Sequence, residues 1–233
     1  MTRGDAVSVI VTALNFERFL ADAIGSVQAE EAPVAEILVV VAESQDGTAG
    51  LAAALASADS RIRVLPAPRH SPARSRNIGL AQAKGGIMAV MDGDDAWPRG
   101  SLGLRLDALR GTGADFVRGI TGFCDHIDPA TLAPPAGARI ERQQTVCVGA
   151  CLYRAAALAE VGPFDETMLY ADDWDLQLRL RDAGLREAAL PDVTLWHRRY
   201  PGSLLTTPDP RRKQELARAI ARSVARRRAK GAA

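Results

Sequence analysis

Residues 87–97 read IMAVMDGDDAW, five apolar side chains that run straight into three carboxylates within four positions. So short an apolar run, entered from Gly85-Gly86, predicts a strand buried on both faces. Acidic groups directly after it stand at the strand's carboxyl end, where open α/β sheets bind ligands. Asp92, Asp94 and Asp95 repel one another unless something neutralises them. A hard divalent cation does this and keeps positions open for phosphate oxygens. The simpler alternative is a solvated turn in which one Asp caps the next helix.

Upstream, two periods alternate. Val7–Val11 reads as a buried strand, and Phe16, Leu20, Ile24 and Val27 recur at helical spacing. The pattern repeats with a strand at Glu36–Val41, a helix over 47–58, a strand at Ile62–Leu65 and a helix over 72–84. This predicts an α/β fold with a mostly parallel, Rossmann-like sheet flanked by helices. Thr12–Asn15, Ala42–Asp46 and Asp92–Asp95 then lie at one edge of it.

Downstream the order is looser. A strand is expected at Asp115–Phe123, a Pro-rich loop over 124–148, a strand over 149–153 and a helix over 154–161. A further helix starts near Asp172 and stops at Gly184, and a terminal helix covers 209–229. The expected division is a domain over 1–208, with a ligand-binding half (1–97) and a smaller mixed half (98–208), followed by a basic helical segment (209–233).

Composition excludes several classes. Of 233 residues, 47% are hydrophobic, enough to build a core, so extensive disorder is excluded. Aromatics are 5%, too few for a base-stacking platform, and no nucleic-acid partner is expected. Cys124, Cys147 and Cys151 are odd in number and lack CxxC spacing, which argues for buried thiols rather than disulfides or a zinc ribbon. No GxGxxG follows the first strand, and GxxxxGK[ST], HExxH and GxSxG are absent. The start, Met1 to Asp5, carries no cleavage-site pattern, and no apolar run is long enough to span a bilayer. A cytoplasmic protein is expected, peripheral at the inner membrane if its tail binds lipid.

A second acidic group, Asp172-Asp173-Trp174-Asp175, opens the helix that follows the turn. Carboxylates there are favoured by the helix dipole alone. Paired with the first group, they suggest one set for a metal and one for base chemistry.

VSVIVTALN (7–15), EILVVVAESQDGT (36–48), SPARSRNIGLAQAKG (71–85), MDGDDAW (91–97), VGPFDE (161–166) and DDWDLQLRLRDAG (172–184) together resemble family-2 glycosyltransferases of the GT-A fold, in order and spacing, and the small bacterial members most. The resemblance implies a metal-dependent, inverting transfer of a sugar from a nucleoside diphosphate donor, most often a UDP-sugar, to a hydroxyl acceptor on a glycan, lipid-linked carrier or peptide. It implies that Thr12, Ala13, Leu14 and Asn15 border the base, that Arg76 and Asn77 line the donor site, and that Asp92 contacts the ribose region. Asp94, with Asp92, would hold Mn2+ or Mg2+. Asp173 matches the general base, and Asp172 stands where Glu is usual.

Three departures stand out against that pattern. Val41 replaces an Asp that bonds the uracil ring, with Glu43 two residues on as a substitute. Leu14 replaces a stacking Tyr, so both base-reading positions are apolar. Tyr200 occupies a usual His position, leaving His197 as either a metal ligand or a packed histidine, while Arg198 and Arg199 are candidates for the diphosphate. The alternative from another class is a non-catalytic GT-A domain that binds sugar nucleotides or a partner.

The formal charge of +1 conceals a split: residues 211–233 carry nine Lys and Arg and one Glu, so +8 sits in the tail and −7 on the remainder. Leu216, Ile220 and Val224 recur along that helix beside Arg218, Arg222 and Arg226. Three uses are open: the apolar stripe packs on the domain with the arginines solvated, the helix rests on an anionic membrane, or it meets a peptide or nucleic-acid partner.

Overall fold

The computed structural model describes residues 6–231. The leader Met1–Asp5 and the last two residues of the expected 209–233 segment lie outside the described residues.

One eight-stranded sheet organises the chain. In its first half β1 (Val7–Ala13), β2 (Val34–Ala42), β3 (Ile62–Ala67) and β4 (Ile87–Asp92) lie parallel in the order β3-β2-β1-β4. All seven residues of β1 are buried, as its β-branched, near-continuous apolar sequence requires of a strand covered on both faces. The linking helices are α1 (Leu20–Gln28), α2 (Thr48–Ala58) and α3 (Pro72–Gln82). α3 sits unusually close to β1, because a Cβ on Gly79 would lie 2.3 Å from Ile10 Cγ2. That close seat places Arg76, one turn earlier on α3, beside the carboxyl end of the sheet.

The second half is α4 (Ser101–Gly111), β5 (Phe116–Cys124), β6 (Glu141–Gln143), β7 (Cys151–Arg154), α5 (Ala155–Val161), α6 (Asp172–Ala183), β8 (Glu187–Arg198) and α7 (Arg211–Gly231). β7 joins β4 antiparallel, β5 joins β7 antiparallel, and β8 runs parallel along the length of β5. β8 holds one edge of β5, so β7 and the short β6 share the other in succession. One core, under α1, α2 and α4, gathers Val9, Val11, Ile24, Val39, Met91 and Leu106. The opposite core, under α3, α5 and α6, gathers Ile10, Leu38, Val90, Phe116, Leu176 and Leu180.

Three elements were not anticipated: α4, β8 and the short β6, which pairs with β5 from within the expected loop over 124–148. α4 carries Leu102, Leu106 and Leu109 at helical spacing, but its buried Arg105 and its Gly103 blur the stripe. β8 contains Pro191, which argues against a strand in sequence. The register with β5 jumps from Ala189 to Val193, so the proline sits in a bulge where no ladder bond is needed.

α7 packs on the domain through only part of the expected apolar stripe, at Leu216, with Ala219 beside it. Ile220 and Val224 are exposed, whereas Arg222 pairs with Asp165, and Arg226 and Arg227 both pair with Asp182. Asp182 is nearly buried on α6 and also accepts Ser223 Oγ at 3.0 Å, so the basic side chains satisfy a carboxylate that would otherwise be stranded. Among the described residues, no helix is long and apolar enough to cross a membrane.

Candidate active site

The three expected loop segments meet at the carboxyl end of the parallel strands. Thr12 and Asp92 are register partners on β1 and β4, so their side chains share a face, and Thr12 Oγ1 donates to Asp92 Oδ1 at 2.8 Å. Asn15 takes a left-handed φ of 57°, and its Oδ1 accepts the backbone N–H of Gln45 at 2.7 Å. That bond ties the end of β1 to the end of β2. Val41 lies in register with Ala13, and both are buried; Leu14 is half-buried. Glu43 is exposed, held by its backbone N–H to Ala67 O.

Arg76 joins the two acidic groups. Its Nη2 lies 2.9 Å from each Asp92 oxygen, and its Nη1 donates to Asp172 Oδ2. The guanidinium is almost fully buried, where an ion needs such partners. Burial pushes Asp92 upward, but the Arg76 charge and the Thr12 hydroxyl outweigh it and hold the carboxyl below its usual value. Asn77 faces another way: Nδ2 donates to Phe164 O at 3.0 Å and Oδ1 accepts Phe164 N–H at 2.9 Å. It fixes the turn before α6.

Asp173, the next residue after Asp172 on the first turn of α6, has no such cation of its own. Burial first, then the Asp172 charge, raise its carboxyl to about 7, against a weaker pull from Arg76. A carboxylate near neutrality at a site of developing charge is poised as a general base.

Asp94 is similarly raised to about 7, by burial and by the neighbouring charges of Asp95 and Asp92. Tyr200 Oη donates to its Oδ2 at 2.9 Å. This crowding of carboxylates fits a hard divalent cation, which would relieve it. His197 has Asp95 as its hydrogen-bond partner. Its Nδ1 is 2.9 Å from Asp95 Oδ2, and burial notwithstanding, Asp95 holds the imidazolium well above its usual value. Asp95, Cys147 and His197 place their ligand atoms within 4.8 Å of one another, a donor set softer than magnesium prefers. Arg198 and Arg199 already have protein partners. Arg198 pairs with Asp22 at 2.9 Å and lies over Phe19; Arg199 pairs with Glu141 at 2.7 Å and lies over Phe123.

The acidic loop is anchored by Trp97, which is fully buried. Its Nε1 donates to Gly149 O at 3.0 Å and Arg105 stacks 4.2 Å over the ring. Reading the sequence alone named Asp95 only as a member of the acidic run and Tyr200 only as a replaced histidine, and it missed the pairing of Asp95 with His197, of Tyr200 with Asp94, and the place of Cys147 beside them.

A mostly parallel sheet with an acidic loop beyond its fourth strand and a second carboxylate pair on a later helix defines the GT-A class. The chain belongs to the family described as glycosyl transferase family 2, whose model matches residues 8–131, more than half of its length. It is 28% identical over 211 residues to the glycosyltransferase AglE of Haloferax volcanii, covering 85% of this chain and 69% of that one. The succinoglycan biosynthesis protein ExoO of Rhizobium meliloti is 37% identical over 105 residues, 45% of this chain and 28% of its own. The chain spans less than half the length of most curated relatives it matches. Among solved structures, S. aureus TarS 1–349 in complex with UDP-GlcNAc shares the fold, with a TM-score of 0.76 at 17% identity over 95% of this chain and 66% of that one.

Proposed function

We propose that this chain is a metal-dependent inverting glycosyltransferase that moves a sugar from a nucleoside diphosphate to a hydroxyl acceptor. The carrying observation is Arg76, which sets Asp92 and Asp172 on one guanidinium and so brings the donor-side and acceptor-side carboxylates to a single site. Family membership and the UDP-GlcNAc complex of TarS support a nucleotide-sugar donor.

In this reading the donor lies across the ends of β1, β2 and β4. Asp92 stays ionised beside Arg76 and accepts hydroxyl groups from the donor. Asp94, with Asp92 near it, would hold Mn2+ or Mg2+, which neutralises the diphosphate leaving group. Asp173 takes the proton from the acceptor hydroxyl as that oxygen bonds to the anomeric carbon and the bond to the diphosphate breaks. Attack from the face opposite the leaving group inverts the centre. Burial raises the Asp172 carboxyl against the pull of Arg76, and the charge of Asp172 in turn raises Asp173. Three unpaired thiols support a reducing, cytoplasmic setting.

Thermal shift with UDP, GDP, CDP and TDP, each with and without Mn2+, tests the reading. A ligand that binds the native state raises its midpoint. A metal-dependent rise with at least one nucleotide is expected; no rise with any of the four removes the transferase reading.

A further inference from the structure

The segment 165–171 delivers Asp172 and Asp173 to the site, yet α6 opens without a side-chain cap. Its support comes from α7. Glu215 accepts the backbone N–H groups of Leu169 at 2.9 Å and Tyr170 at 2.8 Å through one carboxylate oxygen. Tyr170 Oη donates to Asp209 at 2.8 Å, just before α7. Arg218 reaches Thr167, and Arg222 pairs with Asp165 at 2.7 Å. Met168 and Ala171 of the segment pack with Leu178 of α6 and Ala219 of α7. Glu215, Arg218, Ala219 and Arg222 stand three and four residues apart, hence on one helix face, and that face reads the whole segment.

We propose that α7 is a strut for the catalytic helix and that Glu215 is its positioning residue, setting the approach of Asp173 to the acceptor without touching donor or acceptor. This rests on the transferase reading above. Glu215 is the only acidic residue in the tail. Its two N–H bonds are charge-assisted, and each would otherwise leave a backbone donor unpaired in a half-buried segment. Three of the tail's arginines, Arg222, Arg226 and Arg227, answer Asp165 and Asp182 on the domain.

The test compares Glu215→Ala, Glu215→Gln and, on the outward side of the same helix, Lys213→Ala, all in the full chain. Glu215→Ala is expected to lower kcat about 10²-fold, the scale of a misplaced reacting group. Donor KM and the nucleotide-induced midpoint shift stay at wild-type values, because among the described residues the hydrogen bonds and ion pairs of α7 to the rest of the chain run to residues 165–170, 182 and 205–209 and not to the donor side. Glu215→Gln, which retains an acceptor oxygen, recovers part of kcat, and Lys213→Ala changes neither quantity. Unchanged kcat in Glu215→Ala, or loss of kcat in step with nucleotide binding, overturns the proposal. Amide exchange separates this from failure of the transferase reading. If wild-type protein transfers no sugar, faster exchange at Leu169 and Tyr170 in Glu215→Ala still supports the strut, and unchanged exchange removes it.

Discussion

Tyr200 donates its hydroxyl to Asp94 at 2.9 Å, across 106 residues of sequence. Where the sequence suggested a lost histidine, the structure has a phenol bonded to the carboxylate proposed to hold the metal. The bond lowers Asp94 from where burial would leave it and occupies one of its oxygens. Tyr200→Phe removes that support, so the Mn2+ concentration for half-maximal nucleotide stabilisation is expected to rise several-fold, as a hydrogen bond to a charged group is worth about 1.5–3 kcal/mol. Tyr200→His offers a nitrogen ligand in its place and is expected to lower it. Equal Mn2+ dependence in all three proteins would separate Tyr200 from metal binding.

Asp94 carries a second consequence. Its carboxyl is raised from 3.8 to about 7 by burial and by Asp95 and Asp92, so ionising it costs stability in the metal-free fold. A raised acid favours folding at low pH: the cost is absent below the unfolded value, is incurred as pH rises from about 4 to about 7, and is fully present above that. Metal-free Asp94→Asn is therefore expected to be more stable than wild type at pH 8, on the order of 2 kcal/mol, and to lose that advantage by pH 4. With Mn2+ and nucleotide present the order reverses. Chemical denaturation at the two pH values, with and without metal, measures it.

Sequence pattern sufficed where a strand and its function coincide. IMAVM followed by DGDD announces both a buried strand and the groups beyond it, and the register of Thr12 with Asp92 then follows from parallel pairing. It did not suffice where one side chain is reached from two distant elements. Tyr200 finds Asp94, and His197 finds Asp95, only because β8 returns beside β5 and bridges at Trp196 to Ala96. β8 itself was hidden by Pro191, a residue tolerated there because a bulge spares its missing N–H. The tail stayed undecided for a related reason. Helical periodicity left its inward face open: Leu216 and Ala219 pack against α6 and the segment before it, Ile220 and Val224 are exposed, and Asp182 pairs with Arg226 and Arg227.

Val41 is buried at the end of β2, and its family pattern has an acidic residue that bonds uracil there. Val41→Asp restores an acceptor for the N3–H of uracil, which cytosine lacks. UDP is expected to stabilise the variant more than it stabilises wild type, while CDP gains nothing. The unliganded variant loses about 1–3 kcal/mol from burying an unpaired polar group. Equal gains with UDP and CDP in the thermal-shift assay would place the base away from Val41.

Asp173 gives the sharpest kinetic expectation. Burial and Asp172 hold its carboxyl near 7, against Arg76, and only the ionised form accepts a proton. The rate of transfer should therefore rise with pH through about 7 and level off above it. Asp172→Asn removes the neighbouring negative charge, so the midpoint of that limb moves to lower pH. Asp173→Asn keeps nucleotide binding, because the donor contacts stand on other elements, but loses about 10²–10⁴-fold in kcat, the usual worth of a general base. The pH–rate profile and the nucleotide midpoint shift, measured on both variants, decide the assignment. Transfer retained in Asp173→Asn, or an acidic limb left in place in Asp172→Asn, would assign the proton to another group.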